Sequence, residues 1–340
     1  MGEAAARALI EDSLVWDNHG CMPLRPHDDS FLPRLARYKA AGMTAVSLNV
    51  GFGEQGIEDH VRMIAHFRHW LARHASDYLM ASTADDIELA RRTGRLAVLF
   101  DIEGMNAVAD QPSLVQLYYE LGVRWMLIAY NRSNRAGGGC QDDDAGLTLF
   151  GKQVLDEMAR VGMVACCSHT GYRTSRDVMA YSGRPVIFSH SNPRAVHDHP
   201  RNVPDDLLRA CAATGGVVGV NGIGLFLADE GDLIESLVRH IDYLAELIGF
   251  EHVGLGLDYV FDRSEIEALN TADQEGFPPE LGYGRKLEMV PPEALEEIVT
   301  RLIRLGYRDD QLRAILGGNL MRVARTVWRP PVSCRSTLAP

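Results

Sequence analysis

The sequence has little of what membrane-spanning, secreted or nucleic-acid-binding proteins need. No apolar run approaches the about 20 residues of a membrane span, and the first residues lack the basic start and apolar core of a secretory signal. Acidic residues outnumber basic ones, 46 to 34, and the net charge of −12 disfavours nucleic acid and anionic membranes as partners. The six cysteines form no CxxC pair, and no disulfide framework is expected. We therefore expect a cytoplasmic protein with no membrane or nucleic-acid partner.

What the sequence does contain is a regular alternation of strands and helices. Eight apolar or β-branched runs are bounded by turn residues, at 14–19, 44–50, 96–102, 123–130, 163–168, 186–190, 217–222 and 253–258. Helical patterns separate these runs, and eight strands alternating with helices within about 260 residues is typical of a (β/α)8 barrel. The alternative, a doubly wound open sheet, lacks the Gly-rich fingerprint that would follow its first strand.

We predict an α/β protein with a single (β/α)8 TIM barrel. The barrel is expected to span residues 1–325, and residues 326–340 are expected to form a C-terminal tail. Residues 259–284, which are rich in Gly, Pro and acids, are expected to form a long loop after the eighth strand that could cover the site.

Polar residues gather at the ends of these runs, where a barrel places its chemistry. His169 and His190 each end an apolar run, and the segment between them has room for one strand–helix–strand unit. Parallel neighbouring strands would bring both imidazoles to one edge, and neutral imidazole is a good zinc ligand. Glu103 ends the third run and its two oxygens could bridge two metals; Asp101, on the same face, is interpreted as a supporting or barrel-interior residue. Each residue alone could also have a purely structural role.

Further candidates lie at other strand ends. His19 and Cys21 form an H-x-C unit, and alternation places both side chains on one face of a strand, although a capping histidine and a packed cysteine fit the spacing equally well. Asp258 closes the eighth run, where a carboxylate could transfer protons, or it could be a loop or helix-cap residue. Arg201 could bind a substrate carboxylate or pair with a nearby surface aspartate, and the neighbouring His199 is expected to be solvated.

Together these residues resemble the membrane dipeptidase (renal dipeptidase) family of the amidohydrolase superfamily, over roughly residues 12–325. The resemblance is carried by the order and spacing of several stretches: GLTLFGKQVLDEMARVGMV leading into SHT, PVIFSHS, RNVPDD, GLGLD and GGNLMRVA. It implies a (β/α)8 barrel with two zinc ions that hydrolyses dipeptides and tolerates a D-residue at the C-terminal position. Members of this family are often homodimers, so a homodimer is expected here.

The resemblance also implies roles for individual residues. The implied metal ligands are His19, Glu103, His169 and His190, of which Glu103 bridges both ions. Asp258 matches the acid that handles protons at the scissile bond, and Arg201 matches the arginine that binds the terminal carboxylate of the substrate. Asn221, near the end of the seventh run, is a further candidate for substrate binding.

Two positions depart from the family pattern. Cys21 stands where the family has aspartate; a thiolate can bind zinc, so Cys21 could replace that ligand, or the site could be mononuclear. Tyr130 stands where animal members have a histidine, and its phenol could still bind substrate and donate a hydrogen bond to the oxyanion.

The prediction is hydrolysis of a dipeptide by a metal-activated hydroxide. The alternatives are hydrolysis of a non-peptide amide, an N-acyl amino acid or a lactone, and a binding scaffold without turnover.

Overall fold

Ten parallel β-strands lie in one sheet within residues 2–330, the part of the chain that the computed structural model describes. The strands are β1 (Trp16–Cys21), β2 (Ala45–Phe52), β3 (Tyr78–Met80), β4 (Leu96–Glu103), β5 (Val123–Leu127), β6 (Val164–Cys166), β7 (Val186–Ile187), β8 (Val218–Val220), β9 (Val253–Leu255) and β10 (Tyr259–Val260). Eight of them follow the order β7-β6-β5-β4-β2-β1-β9-β8. A parallel bridge between Phe188, which follows β7, and Val218 of β8 closes the sheet into a barrel. The predicted (β/α)8 fold is confirmed.

Each of the eight predicted runs overlaps a strand, but two strands were missed. β3 pairs with the first residues of β4, Leu96–Val98, and β5 pairs with the later ones, so both occupy the same side of β4. β10 pairs with the end of β1 through Gly20 and Cys21. Both missed strands have three residues or fewer, which is too short for an alternation of apolar and polar residues to be visible.

Fourteen α-helices are described, and most of them surround the barrel. They are α1 (Gly2–Asp12), α2 (Ala36–Ala40), α3 (Ile57–Arg73), α4 (Ala84–Arg92), α5 (Leu114–Glu120), α6 (Leu149–Val161), α7 (Tyr172–Tyr181), α8 (Asp205–Ala213), α9 (Gly224–Leu227), α10 (Leu233–Ile248), α11 (Arg263–Ala272), α12 (Leu295–Arg304), α13 (Asp309–Arg313) and α14 (Asn319–Val327). Local sequence sets several ends. The Thr83 hydroxyl accepts from the backbone N–H of Asp86 at the start of α4, and Gly162 ends α6 in a left-handed conformation. Within residues 2–330, no helix is both long enough and apolar enough to cross a membrane.

The segment predicted as a loop at 259–284 is more ordered than expected. It contains β10, α11 and a 3₁₀ turn at Pro279–Leu281. The side chain of Asp262 accepts from the backbone N–H of Ser264 and caps α11, a signal that the sequence contained. Residues 263–288, here called the lid, provide part of the wall of a cavity at the C-terminal end of the barrel.

The predicted tail at 326–340 begins inside α14, which ends at Val327. Beyond the helix, the Trp328 ring packs edge-on against Trp16 with ring centroids 5.8 Å apart, and the carbonyl of Arg329 accepts from the Tyr119 hydroxyl at 2.6 Å. Residues 331–340 lie outside the described part of the chain.

One helix carries a histidine whose burial makes stability depend on pH. His240 on α10 is fully buried, and its Nε2 lies 2.9 Å from the carbonyl oxygen of Leu227. Burial lowers the pKa of His240 from 6.5 to about 4. The unfolded chain takes up this proton below about pH 6.5, so the stabilisation is present above that pH and is lost as the pH falls toward 4.

We expect the free energy of unfolding of the metal-free parent to decrease from pH 7 to pH 5. This decrease should be about 2 kcal/mol larger than the decrease measured for a metal-free His240→Gln variant. Gln keeps an N–H donor for Leu227 but does not titrate. Urea unfolding of both proteins at the two pH values measures the difference. Parallel pH dependences of the two proteins would contradict a role for His240.

Candidate metal centre

Six of the residues predicted from the sequence converge at the C-terminal end of the barrel. They are His19, Cys21, Glu103, His169, His190 and Asp258. The first two lie in β1 and Glu103 ends β4, whereas the other three each follow a strand by three residues. His169 and Asp258 have positive φ values of 59° and 57°. Such a conformation is uncommon for residues other than glycine and is often found at functional sites.

One group of ligand-type atoms surrounds the Nε2 of His19. This nitrogen lies 3.5 Å from the Sγ of Cys21, 3.5 Å from the Oδ1 of Asp258 and 3.7 Å from the Oε2 of Glu103. The thiol of Cys21 donates to Asp258 Oδ1 at 3.4 Å. His19, Cys21 and Asp258 each have one ligand atom in this group, and the three atoms lie within 4.8 Å of one another. A single metal ion could bind all three atoms at this spacing.

A second group faces the other oxygen of Glu103. The Nε2 atoms of His169 and His190 are 2.9 Å apart, and they lie 3.6 Å and 3.2 Å from Glu103 Oε1. This oxygen is buried and accepts no hydrogen bond from the residues that the structure describes. A buried carboxylate oxygen without a donor is costly, and a cation between the three residues would remove that cost.

Hydrogen bonds on the outer ring nitrogens orient the three imidazoles. The acceptors are Asp101 Oδ2 at 3.3 Å from His19 Nδ1, Asn131 Oδ1 at 2.6 Å from His169 Nδ1, and Ser189 Oγ at 2.8 Å from His190 Nδ1. Because an ionised carboxylate and an amide oxygen can only accept, the Nδ1 atoms of His19 and His169 carry the hydrogen. The neutral ring of His169 then presents its Nε2 lone pair to the centre, and His19 would do the same on losing its Nε2 proton to bind a metal, the arrangement found around metal-binding histidines.

Burial and neighbouring charges shift the pKa values of these groups in opposite directions. Burial raises the pKa of Glu103 to about 8, and the nearby Asp101 and Asp258 carboxylates add to this effect. Burial lowers the pKa values of His169 and His190, and both rings are therefore neutral. Burial also disfavours the charged form of His19, but the surrounding carboxylates outweigh it and raise the pKa of His19. The centre thus combines crowded carboxylates with two neutral imidazoles, those of His169 and His190, and with a third, His19, whose charged form is favoured.

Tyr130 and Asn221 both touch these residues. The Tyr130 ring stacks on the His169 ring with centroids 4.1 Å apart. The side-chain amide of Asn221 donates to Asp258 Oδ2 at 2.9 Å. Asn221 was predicted to bind substrate, and the structure places its amide against the candidate proton acceptor.

Arg201 is buried, with 3% of its surface exposed. One terminal nitrogen donates to the carbonyl oxygen of His190 at 3.3 Å, and the Nε is buried without a partner among the described residues. The prediction that the neighbouring His199 is solvated is wrong. Its ring is buried, its Nδ1 accepts from the backbone N–H of Arg201 at 3.1 Å, and its Nε2 donates to Leu281 of the lid at 3.0 Å.

A cavity of about 240 Å³ opens onto the centre. Its inner wall includes Glu103, Tyr130, His169 and Asp258. The lid contributes apolar side chains from Ile266, Phe277, Tyr283 and Leu287, and polar or charged ones from Glu265, Asn270, Arg285, Lys286 and Glu288. His169 also lines a second cavity, of about 220 Å³, and Arg201 lines this second cavity rather than the first. The His169 ring therefore stands between the two cavities.

Sequence reasoning missed three buried polar residues beside the centre. Asn49 of β2 donates to Asp101 Oδ1 at 3.1 Å and to Glu103 Oε2 at 3.3 Å. Asp17 is fully buried, and burial raises its pKa to about 7. Asn131 accepts from His169 and has a φ of +54°. A polar residue inside or just after an apolar run was a usable signal for all three.

Comparison with known proteins identifies the family of this chain. The family model for membrane dipeptidases matches residues 31–274. Dipeptidase verJ of Clonostachys rogersoniana is 31% identical over 273 residues, 79% of this chain and 65% of that protein. Dipeptidase aclJ of Aspergillus oryzae is 30% identical over 280 residues, 79% of this chain and 61% of that protein. This chain thus spans less than two thirds of the length of either relative.

Solved structures show the same fold. The crystal structure of an amidohydrolase from Pseudomonas aeruginosa superposes with a TM-score of 0.86 at 26% identity, covering 95% of this chain and 99% of that chain. A metallo peptidase from Rhodobacter sphaeroides, liganded with a phosphinate mimic of the dipeptide L-Ala-D-Ala, has a TM-score of 0.77 at 20% identity, covering 93% and 100%. The resemblance predicted from the sequence is therefore confirmed, and this chain belongs to the membrane dipeptidase family, peptidase family M19.

Proposed function

We propose that this chain is a metal-dependent dipeptidase that hydrolyses the amide bond of dipeptides, including dipeptides with a C-terminal D-residue. One observation carries the proposal: the buried Glu103 Oε1, which has no hydrogen-bond donor within residues 2–330, faces the Nε2 atoms of His169 and His190. The dipeptidase names of the relatives support the same activity.

A divalent cation, with zinc the expected ion, suits this set of nitrogen, sulfur and carboxylate donors. His169, His190 and Glu103 would hold one ion, and His19, Cys21 and Glu103 would hold a second. When bound, the metal polarises the scissile carbonyl and makes water acidic enough to act as a nucleophile near neutral pH. The burial of these donors keeps bulk water from competing for them.

The reaction adds water across the amide: the hydroxyl goes to the carbonyl carbon and the hydrogen goes to the leaving amine. Asp258 is proposed to carry that proton. Asn221 donates to Asp258 Oδ2, which leaves Oδ1 facing the centre, where it can take the proton from water and return it to the amine. Burial raises the pKa of Tyr130, so its phenol stays protonated and can donate to the developing oxyanion.

Arg201 is proposed to bind the terminal carboxylate of the dipeptide. Its guanidinium is held by the His190 carbonyl, and its unpartnered Nε remains available as a donor. A buried arginine that lacks a carboxylate partner is well suited to a charged ligand, because the ligand restores the missing ion pair.

The test is amine release from a panel of L,L- and L,D-dipeptides by zinc-reconstituted protein whose metal content is measured. Turnover of dipeptides supports the proposal. The same panel should contain N-acyl amino acids and lactones, because Cys21 and Tyr130 differ from the family pattern. Turnover of those compounds alone would favour the alternative substrate class, and no turnover by fully metallated protein would favour a binding scaffold.

We predict that Cys21→Ala protein loses about one bound metal ion per chain, or binds it at least about 10-fold more weakly. The thiol lies beside His19 and Asp258, and alanine offers no ligand atom. Equilibrium dialysis measures the metal content, and the cobalt-substituted variant should lack sulfur-to-cobalt charge-transfer absorption. A cytoplasmic location, which keeps thiols reduced, is part of this proposal.

Cys140→Ala is the matched control for this substitution. Cys140 is also partly buried near the centre, but its Sγ approaches Asn131 rather than the proposed ligands. Cys140→Ala should keep both metal content and the absorption band. If Cys21→Ala binds as much metal as the parent with the same affinity, Cys21 is not a ligand.

A further inference from the structure

The lid is attached to the barrel at several points, including hydrogen bonds to Glu265, Glu275 and Leu281, but its first part is only lightly buried. The helix α11 has no buried residue, and between residues 263 and 280 only Gly276 and Phe277 are buried. Phe277 packs edge-on against Tyr130 with ring centroids 6.2 Å apart. The neighbouring Gly276 carbonyl accepts from the Asn131 side-chain amide at 3.0 Å. Asn131 therefore holds the lid at its most buried point.

The oxygen of the same Asn131 amide forms a hydrogen bond with His169. Asn131 is 1% exposed, and its Oδ1 lies 2.6 Å from His169 Nδ1. The φ of +54° at this position is one that asparagine adopts more readily than most residues. One planar side chain thus connects a candidate metal ligand with a lid residue 145 positions away.

These two hydrogen bonds depend on each other. A carbonyl oxygen can only accept, so Gly276 requires the amide nitrogen of Asn131 on its side. The amide oxygen must then face His169, and His169 must carry its hydrogen on Nδ1. Only this tautomer leaves the Nε2 lone pair directed toward Glu103 and His190. Without the lid, only the weak 3.8 Å contact from the Cys140 thiol to Asn131 Oδ1 opposes, within residues 2–330, a half-turn of the amide, which would oppose the required tautomer.

We propose that Asn131 is a positioning residue that couples closure of the lid to metal binding, through the orientation of its amide and the tautomer of His169. The inference rests on the proposed role of His169 as a metal ligand. Because coupling between two equilibria is reciprocal, a closed lid strengthens metal binding, and bound metal keeps the lid closed.

The test compares zinc affinity, measured by competition with a chromophoric chelator, and the rate of tryptic cleavage after Arg285 and Lys286, two exposed lid residues. In the parent protein, zinc should slow this cleavage. Asn131→Gly, which tolerates the positive φ, should weaken zinc binding by roughly 10- to 100-fold and remove the protection by zinc. Circular dichroism checks that the variant is folded.

Asn131→Asp separates the effect of Asn131 on His169 from its effect on the lid. Its carboxylate still accepts from His169 but has no hydrogen to donate to Gly276. We expect this variant to bind zinc with near-parental affinity while its lid is cleaved quickly whether or not zinc is present. Arg132→Ala is the matched control, because Arg132 tethers the lid through Glu275 at 2.6 Å and does not touch His169. It should speed cleavage but keep the protection by zinc.

Three results would overturn the coupling: parental zinc affinity in Asn131→Gly, no effect of zinc on lid cleavage in the parent protein, or full protection by zinc in Asn131→Asp. None of these measurements uses a peptide substrate. A protein that fails to cleave dipeptides yet shows the coupling would refute the proposed activity alone.

Discussion

Asp258→Asn protein should bind a full complement of zinc but hydrolyse dipeptides roughly 10²- to 10⁴-fold more slowly than the parent. The amide fills the same volume and can still accept from Asn221, but it cannot take a proton from water at neutral pH. Metal binding should survive because Glu103 and the three histidines remain. Steady-state kcat and metal content on the same preparation provide the measurement.

Glu230→Gln is the matched control, because Glu230 is an exposed acid in the wall of the same cavity. Its kcat should stay near the parental value. Two outcomes for Asp258→Asn would change its assigned role. Parental turnover would remove Asp258 from the mechanism, whereas loss of zinc would identify it as a ligand in the group with His19 and Cys21.

The barrel and the six converging side chains could be predicted because both follow from local signals. Each strand is an apolar run with a defined end, and parallel strands bring their carboxyl ends to one edge. His169 and His190 could therefore be paired without knowledge of any contact between them. The short strand β3 and the helix α11 were missed for the same reason: a three-residue strand has no visible period, and α11 has no buried face.

The supporting contacts could not be predicted, because they join segments that lie far apart in the chain. Asn131 binds a lid residue 145 positions away. His199 is buried between Phe226 and the lid residues Tyr283 and Leu281. Nothing near His199 in the sequence distinguishes a buried histidine from a solvated one. The ligand types were encoded locally, whereas the groups that orient the ligands are set by tertiary packing.

Glu103→Gln should have the largest effect on metal binding of any single substitution in the centre. Glu103 contributes Oε2 to the group around His19 and Oε1 to the pair formed by His169 and His190. An amide keeps the shape but lacks the charge that a divalent cation requires. We expect zinc affinity to fall by at least about 100-fold and turnover of dipeptides to become undetectable.

Thermal unfolding of the Glu103→Gln protein distinguishes a lost ligand from a damaged fold. Gln introduces no buried charge, so the metal-free variant should be at least as stable as the metal-free parent. Zinc at 100 times its parental Kd should stabilise the parent by about 2.7 kcal/mol and the variant by no more than about 0.4 kcal/mol. Glu54→Gln, at an exposed position after β2, should respond to zinc as the parent does. A metal-free Glu103→Gln protein that unfolds well below the parent would instead assign Glu103 a structural role, because the loss would not depend on zinc.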